Sequence, residues 1–350
     1  MDALWLVPPV VAAAGSRAQP EAALLASHIA SVRLRAGVAS TAWQHAGHRN
    51  VLLNPEDAAA VAGVNLAAAK LCIVGKFFLD SDPVAWLDTC TRVKKSGWRM
   101  VLDICDYPFA EKPPAVTRFY TEALRLCDSV TVNSARMAEL MTPHARQAPQ
   151  VIEDAILAPP QRPEFAPGKR LELLWFGHPS NLRYLERTLD ALVRYGENQH
   201  CRLQVVTAPG YGVEQAVQSL SARFAPRFEA QFIPWSIEAT RAALSQCDLV
   251  LIPGDPADPL KSGVSSNRLG EALQAGRLPV ASPLASYLPF GEAAWLGDDL
   301  VAGIAWAMAN RGEVLARIRR GQALVSETLT AAKIGQQWCA LLEGLAKLSR

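Results

Sequence analysis

The sequence lacks any apolar run long enough to cross a membrane. No uninterrupted apolar stretch approaches the roughly 18 residues of a membrane span, so we expect membrane contact to be peripheral at most. A charge of one sign is also missing, because 35 Lys and Arg residues oppose 33 Asp and Glu residues along the chain. A formal net charge of +2 gives no electrostatic footprint for duplex nucleic acid. We therefore do not expect nucleic acid as a partner.

Several common catalytic fingerprints are missing too. The chain contains no GxSxG, P-loop, HExxH or GxGxxG motif, which removes support for serine hydrolases, P-loop kinases, zincins and common NAD dehydrogenases. Its seven cysteines are scattered and never form CxxC. We interpret them as buried thiols of a reducing cytoplasm, with neither a disulfide framework nor a zinc site.

What is present is enough apolar material for two packed domains. The chain has 350 residues, of which 50% are hydrophobic and 19% are charged. Its opening, MDALWLVPPVVAAAG, is as apolar as the core of a signal peptide, but it starts with Asp2 and is interrupted by Pro8 and Pro9. We predict a first β-strand there, and a signal peptide is the alternative.

The second half of the chain alternates short apolar runs with helical patterns. The apolar runs, predicted as strands, are LELLWF (171–176), LQVVT (203–207), FEAQFIPW (228–235), DLVLIP (248–253) and LPVAS (278–282). Such alternation with short connections is typical of a parallel, doubly wound sheet with helices on both faces. The second half is therefore predicted to be a Rossmann-like α/β domain.

The first half shows a similar alternation. The predicted strands are ALWLV (3–7), RNVLL (49–53), KLCIV (70–74), WRMVLDI (98–104) and SVTVN (129–133). The proline-rich segment 158–170 can continue neither a helix nor a central strand, so we place the domain boundary there. We expect one α/β domain over 1–160, a second over 169–330, and a final helix over 331–350 that crosses back to brace the first.

The most informative stretch is 249–282, which reads strand, loop, short helix, strand. The loop brings Ser265, Ser266 and Asn267 to the N-terminus of a helix that ends at Gly276. Loops at the carboxyl ends of parallel strands bind ligands in such sheets, and the N–H groups of a helix N-terminus suit a phosphate. The alternative is that these three residues only cap the helix.

Three charged residues accompany this helix. Lys261 and Arg268 add positive charge near the predicted phosphate position. Glu271 lies one turn after Asn267 on the same helical face, where a carboxylate can accept hydrogen bonds from both ribose hydroxyls. The alternative is a surface ion pair between Glu271 and Arg268 or Lys261.

This stretch resembles the C-terminal domain of GT-B glycosyltransferases, particularly the family 4-like enzymes. Their Glu-x7-Glu element has its second Glu at the position of Glu271 and its first at the position of Gly263, where this sequence departs from the pattern. The segment LLWFGHPSNLRYLERTLDAL (173–192) is similar to the opening strand and helix of that domain. The resemblance implies that His178 and Arg183 are candidates to reach the donor phosphates.

The first half carries the resemblance less fully, in ASVRLRAGVASTAWQHAGHRNVLL (30–53). It is similar to the first helix and second strand of the same family, which implies that Ser31, Arg33 and Arg35 point toward a phosphate or an anionic acceptor. The alternative is a solvated helix face on which Arg33 and Arg35 have no ionic partner.

Two acidic residues, Asp103 and Asp106, end the strand in WRMVLDICDYPF (98–109). Related sugar transferases have an acidic run at this place. A metal-binding DxD is one interpretation, but the spacing here is Asp-x-x-Asp. Asp106 is our candidate general base toward an acceptor hydroxyl, and loop-capping carboxylates are the alternative.

The resemblance implies a fold of two Rossmann-like doubly wound domains facing a cleft, with the donor mostly on the second. It implies a transferase that moves a sugar from a nucleotide-diphosphate sugar to an acceptor hydroxyl without a metal or other cofactor. The expected partners are the nucleotide sugar and a glycan, lipid-linked or protein acceptor, in the cytoplasm or peripherally at a membrane. A sugar-nucleotide epimerase and a catalytically idle GT-B binding module are the alternatives.

Overall fold

A computed structural model describes residues 2–8, 20–64, 69–210 and 212–347 of the chain. Two compact units are present. The first contains the described residues of Met1–Leu157, Ser262–Ser265 and Thr328–Arg350, and the second contains those of Ala158–Lys261 and Ser266–Glu327. The opening strand is described, whereas residues 9–15 of the alternative signal peptide lie outside the described residues.

The first unit is built on a parallel sheet, six-stranded in its described part. Its strands are β1 (Asp2–Leu6), β2 (Arg49–Leu53), β3 (Ala69–Val74), β4 (Arg99–Ile104), β5 (Ser129–Val132) and β6 (Gln150–Val151). Neighbouring strands pair in the order β2-β1-β3-β4-β5-β6, all parallel. The order reverses between β1 and β3, and a doubly wound sheet opens a crevice at its carboxyl edge at such a point.

Helices flank this sheet. They are α1 (Pro20–Leu25), a π-helical segment (Val32–Gly37) that continues into α2 (Val38–His45), α3 (Ala58–Gly63), α4 (Pro83–Lys95), α5 (Pro114–Leu126) and α6 (Ala135–Met141). Local chemistry sets their starts: Asp82 accepts a hydrogen bond from Val84 N at the start of α4, and Pro83 supplies a helical φ. Buried side chains of strands and helices, such as Leu102, Trp86 and Phe119, form one core.

The last helix of the first unit packs onto α2. Helix α14 spans Ala331–Lys347 and buries an apolar stripe made of Ile334, Trp338, Leu341, Leu342 and Leu345. Gly335 allows the close approach, because a Cβ there would lie 2.7 Å from the Cβ of Ala42. The last three residues of the predicted helix lie outside the described residues.

The second unit also has a parallel sheet, six-stranded in the part described. Its strands are β7 (Leu171–Phe176), β8 (Cys201–Thr207), β9 (Phe228–Pro234), β10 (Leu249–Ile252), β11 (Leu278–Ala281) and β12 (Trp295–Leu296). They pair in the order β12-β11-β10-β7-β8-β9. Numbered within the unit this is the Rossmann order 3-2-1-4-5-6, and it reverses between β7 and β10.

The connecting helices follow the predicted alternation. They are α7 (Leu182–Gly196), α8 (Val213–Phe224), α9 (Ile237–Gln246), α10 (Pro259–Ser262), α11 (Asn267–Gln274), α12 (Leu300–Ala309) and α13 (Arg311–Thr328), with short 3-10 segments at Pro179–Asn181 and Ala285–Phe290. Gly276 follows α11 with a φ of +75°, and a Cβ there would lie 2.3 Å from the carbonyl oxygen of Arg162. Only glycine fits at this helix end.

The predicted α/β fold class is confirmed. Each strand predicted from the sequence is present, with ends that differ by at most two residues. The two strands that the sequence did not indicate, β6 and β12, have two residues each and are too short to give a periodic signal. Within the described residues, no helix combines the length and apolar character needed to span a bilayer.

Candidate functional site

The candidate site lies at the carboxyl edge of the second sheet. Strands β7 and β10 are neighbours, and the strand order reverses between them. The chain leaves β7 through residues 177–181 and leaves β10 through residues 253–266, so both connections start at the position where α/β sheets bind ligands. The candidate residues of the second half lie on these two connections and the helices that follow them.

The turn after β7 is shaped by small and capping residues. Gly177 accepts a hydrogen bond from Thr207 Oγ1 at 2.7 Å, which ties the turn to β8. His178 is exposed and caps the 3-10 segment: its Nδ1 accepts from Ser180 N at 3.2 Å. His178 therefore has a local capping role in the turn after β7, and its role toward donor phosphates stays a prediction.

Arg268 reaches from α11 back to this turn. Its Nη1 donates to the carbonyl oxygen of Phe176 at 3.2 Å. A side chain at Gly177 would obstruct the approach, since its Cβ would lie 3.1 Å from that Nη1. The Nη2 atom of Arg268 is buried and has no hydrogen-bond partner among the described residues. A buried guanidinium donor without a partner gains free energy when an anion binds.

Lys261 reaches the same turn from the other connection. Its side chain is 2% exposed, and its Nζ donates to Asn181 Oδ1 at 3.3 Å. The Nζ also lies 5.5 Å from the ring centroid of Tyr184, within the range of a cation–π interaction. Burial of an ammonium group at the carboxyl edge favours an anionic ligand there.

Arg183 lies in the first turn of α7 and is held by two neighbours. Its Nη2 donates to Asp258 Oδ2 at 2.7 Å and to the Tyr184 hydroxyl at 2.8 Å. The Tyr184 hydroxyl itself donates to Asp258 Oδ2 at 2.5 Å. Burial, together with the hydrogen bond to Asp258, raises the pKa of Tyr184 to about 12, so this hydroxyl remains a donor at neutral pH.

The first N–H groups of α11 are only partly capped by side chains. Ser266, the N-cap residue, is 3% exposed, and its hydroxyl makes no capping hydrogen bond within the described residues. The Asn267 side chain accepts from the N–H of its neighbour Arg268 at 2.7 Å. The first N–H groups of a helix lack intrahelical acceptors, so the amide end of α11 adds positive potential beside Arg268.

Glu271 is half-buried on α11. Leu269, Ala272 and Leu273 are fully buried at 0% exposure and form the inward face of this helix. Glu271 lies one turn after Asn267, on the same side of the helix as Asn267. Its role as a ribose ligand stays a prediction.

Ser265 has a protein partner in the first unit. Its side chain is buried there, and its hydroxyl donates to Asp154 Oδ2 at 2.6 Å. Its role toward a ligand stays a prediction. No local pattern in the sequence signals this contact, because 111 residues separate the two partners.

The role of Arg35 toward an anion stays a prediction, but the structure excludes the alternative of a solvated helix face. Arg35 is 0% exposed and pairs with Asp103 at 2.6 Å and Asp154 at 3.0 Å. It also donates to the carbonyl oxygen of Ile152 at 2.6 Å and lies 5.6 Å from the Trp338 ring. Burial alone would lower the Arg35 pKa, but the two carboxylates raise it overall, so the group is cationic.

The other two candidates of this helix lie differently. Arg33 is half-exposed, and its Nη1 donates to the carbonyl oxygen of Ser27 at 2.8 Å. Ser31 precedes the π-helical segment, and its buried Oγ has no hydrogen-bond partner in the described part of the chain. Residues two apart on a helix face different directions, so Arg33 and Arg35 do not share an environment.

The two acidic candidates serve different cations. Asp103 accepts from Arg35 and, at 2.8 Å, from Thr131 Oγ1 inside the unit. Asp106, whose side chain is 46% exposed, pairs with Lys76 Nζ at 2.5 Å. Among the residues the structure describes, no cluster of three or more His, Cys, Asp or Glu side chains could hold a metal ion.

Sequence reasoning missed four residues that organise these places: Lys76, Asp154, Tyr184 and Asp258. Lys76 follows β3 at the switch point of the first sheet, and the Asp106 carboxylate raises its pKa against the opposing effect of burial. Its signal was available, because Lys76 comes two residues after the predicted strand 70–74, directly after Gly75. Tyr184 and Asp258 had no distinguishing signal, because their partners come from separate segments of the chain.

Many solved structures are similar to this chain, and three of them illustrate the likeness. A glycosyltransferase from Rickettsia africae ESF-5 has a TM-score of 0.67 and 10% identity, covering 99% of this chain and 98% of that one. The catalytic domain of starch synthase IV from Arabidopsis thaliana, bound to ADP and acarbose, has a TM-score of 0.67 and 9% identity over 99% and 98% of the two chains. No protein-family model matches this sequence, and neither does any curated protein.

The third is the pneumococcal O-GlcNAc transferase GtfA in complex with UDP and GlcNAc. It has a TM-score of 0.54 and 11% identity, covering 79% of this chain and 57% of GtfA, so this chain spans little more than half of that protein. These neighbours are GT-B glycosyltransferases, and the two parallel sheets give this chain the GT-B fold, as its sequence predicted. At such identities the comparison defines the fold, and the chemistry rests on the residues of the site.

Proposed function

We propose that this protein is a glycosyltransferase that moves a sugar from a nucleotide-diphosphate sugar to an acceptor hydroxyl. The observation that carries the proposal is the contact of Lys261 and Arg268 with the turn after β7, at the switch point of a sheet with Rossmann order; Arg183 lies in the first turn of the helix that follows. Its setting is a fold shared with glycosyltransferases, one of which was solved with UDP and another with ADP.

The donor diphosphate is proposed to bind at this turn. As the bond between the sugar and the diphosphate breaks, negative charge grows on the leaving group, and fixed cations and helix N–H groups stabilise that charge. Two features support this assignment: Arg268 Nη2 has no hydrogen-bond partner in the described part of the chain, and the Ser266 hydroxyl there does not cap α11. Glu271 is proposed to accept hydrogen bonds from the ribose hydroxyls.

The reaction is proposed to need no metal. The support is the number of cations at the proposed phosphate position, together with the pairing of Asp103 with Arg35 and of Asp106 with Lys76. A carboxylate whose charge is already balanced by a protein cation attracts a metal ion less strongly.

The acceptor is proposed to bind at the carboxyl edge of the first sheet, with Asp106 as the general base. Asp106 is half-exposed, and Lys76 beside it lies at the point where that sheet reverses its strand order. The acceptor class is proposed to be a glycan or a lipid-linked or protein hydroxyl. Transfer to Asp106 of the acceptor proton as the bond forms would be ordinary general base catalysis.

A panel of nucleotide sugars tests the proposal. The full chain is mixed with UDP- and ADP-linked sugars first, then with those of other bases, and thermal stabilisation, nucleotide release and sugar identity are measured. We expect stabilisation and slow release of the nucleoside diphosphate. A changed sugar without release would indicate an epimerase, and stabilisation with neither reaction would indicate a binding module.

Glu271→Ala tests the donor assignment more sharply. Loss of a charged hydrogen-bond partner should weaken nucleoside-diphosphate binding by about 1.5–3 kcal/mol, whereas loss of an exposed ion pair would cost under about 1 kcal/mol. Glu186→Ala, on the exposed side of α7, is the matched control. Unchanged affinity in a folded Glu271→Ala protein would return Glu271 to a surface role.

A further inference from the structure

The proposed phosphate position contains carboxylates as well as cations. Three cations surround the buried ring of Tyr184: Arg183 at 4.9 Å, Lys261 at 5.5 Å and Arg187 at 5.6 Å from its centroid. Both arginines have acidic partners: Arg183 pairs with Asp258 at 2.7 Å and Arg187 with Asp255 at 3.0 Å. The charges of these two arginines are therefore partly neutralised by carboxylates of the protein itself.

Asp258 is the more constrained of the two carboxylates. Its Oδ2 accepts from both Arg183 and Tyr184, and its Oδ1 accepts from the N–H of Leu260 at 2.9 Å. Its side chain is 20% exposed, against 34% for Asp255. A carboxylate fixed in this way repels any second anion that approaches the same guanidinium.

A phosphate bound by Arg183 would meet this carboxylate. The Nη2 of Arg183 is shared between Asp258 and Tyr184, so a phosphate oxygen at hydrogen-bond distance from it would lie beside Asp258 Oδ2. When the phosphate binds, either the ion pair between Asp258 and Arg183 breaks, or Asp258 remains in place and repels the phosphate. Either way, the carboxylate opposes binding of the diphosphate.

Resting on the proposed function, we propose that Asp258 is the internal counter-ion of the donor site and sets its affinity for the nucleoside diphosphate. In the free protein it neutralises Arg183, and the diphosphate must displace it. The same displacement favours release of the product once transfer is complete. Asp258 is an affinity-determining residue and does not touch the reacting atoms.

The test is Asp258→Asn in the full chain. The amide oxygen can still accept from Leu260 N, so the start of α10 is preserved, while the charge is removed. We expect UDP, ADP or GDP, whichever the wild type binds, to bind Asp258→Asn at least threefold more tightly by isothermal titration calorimetry. Asp255→Asn removes the same charge from the more exposed pair and should change affinity less than twofold.

A double variant ties the effect to Arg183. In Arg183→Ala, the further change Asp258→Asn should give no more than half of the gain seen in the wild type, because the masked cation is already missing. Thermal midpoints without ligand, compared among all variants, show that each is folded.

The outcomes separate the two ideas. Equal or weaker binding by a folded Asp258→Asn protein, when the wild type binds, overturns the counter-ion role and leaves the proposed function standing. If neither protein binds any nucleoside diphosphate, both ideas fail. Binding by Asp258→Asn alone supports the counter-ion role.

Discussion

Arg35 in the first unit and Arg268 in the second were predicted from the sequence to approach an anion, but their surroundings differ. Arg35 is fully buried and donates to Asp103, Asp154 and the Ile152 carbonyl. Arg268 donates to the Phe176 carbonyl, and its Nη2 has no partner among the described residues. An arginine whose donors are satisfied inside the fold stabilises that fold, and one with a spare buried donor is available to a ligand.

The two sheets differ in a related way. The first reverses its strand order between β1 and β3, and the second between β7 and β10. At the first reversal the cation Lys76 is paired with Asp106, whereas at the second Lys261 and Arg268 contact the turn after β7 and Arg183 lies in the helix that follows it. The excess of positive charge belongs to the second unit, which is why we place the anionic donor there.

The largest expected effect breaks the buried network of the first unit. Arg35→Met leaves Asp103 and Asp154 without their cation and should lower the free energy of unfolding by about 3–5 kcal/mol. Urea denaturation measures it. Arg33→Met, two residues away and half-exposed, should change stability by under about 1 kcal/mol. A stable Arg35→Met protein with weakened nucleotide binding would make Arg35 a ligand-binding residue instead.

The next largest effect is expected in the second unit, where an arginine should matter more for binding than for stability. Arg268→Ala should weaken nucleoside-diphosphate binding by about 1.5–3 kcal/mol and change stability less, because Arg268 Nη2 has no hydrogen-bond partner among the described residues. Arg170→Ala is the control, since Arg170 precedes β7 at the opposite edge of the same sheet and pairs with Glu172. Equal affinity losses in the two variants would contradict the site.

A smaller effect tests the electrostatics around Asp154. Burial, followed by the Asp154 charge, raises the pKa of Glu153 above its usual value of 4.5. Below pH 4.5 both folded and unfolded states hold the proton, and stability is lost as pH rises through the raised pKa, because the unfolded state ionises first. Glu153→Gln should therefore be more stable than the wild type at pH 7, by under about 1 kcal/mol.

Thermal denaturation from pH 4 to pH 7 measures this difference, which should shrink as the pH falls. Glu214→Gln, on an exposed face of α8, is the control and should show no such trend. A difference that grows toward acid pH would mean that Glu153 is stabilised as a carboxylate.

The smallest expected effect is none. Sugar transfer should survive EDTA, because protein cations are proposed to stabilise the leaving diphosphate. Turnover is measured before and after chelation and after adding Mg²⁺ or Mn²⁺. Complete loss in EDTA with recovery in metal would overturn the metal-free proposal and make Asp103 and Asp106 the leading ligands.

Local sequence patterns were enough to predict the strands and helices of both units. Strand periodicity, the loop after β10, the helix at Asn267–Gln274 and the glycine stop at Gly276 follow from local patterns, because strands and helices repeat side-chain character over a few residues. The approximate place of the candidate site followed as well, since ligands bind at the carboxyl ends of parallel strands.

The pairing of the charged residues could be seen in the tertiary structure alone. Arg35 and Asp154 are 119 residues apart, Arg183 and Asp258 are 75 apart, and nothing local in the sequence marks either pair. An arginine that donates to buried carboxylates cannot be distinguished by residue type from an arginine that has a buried donor available for a ligand. Their hydrogen-bond partners distinguish them, and those partners exist only once distant strand ends have been brought together.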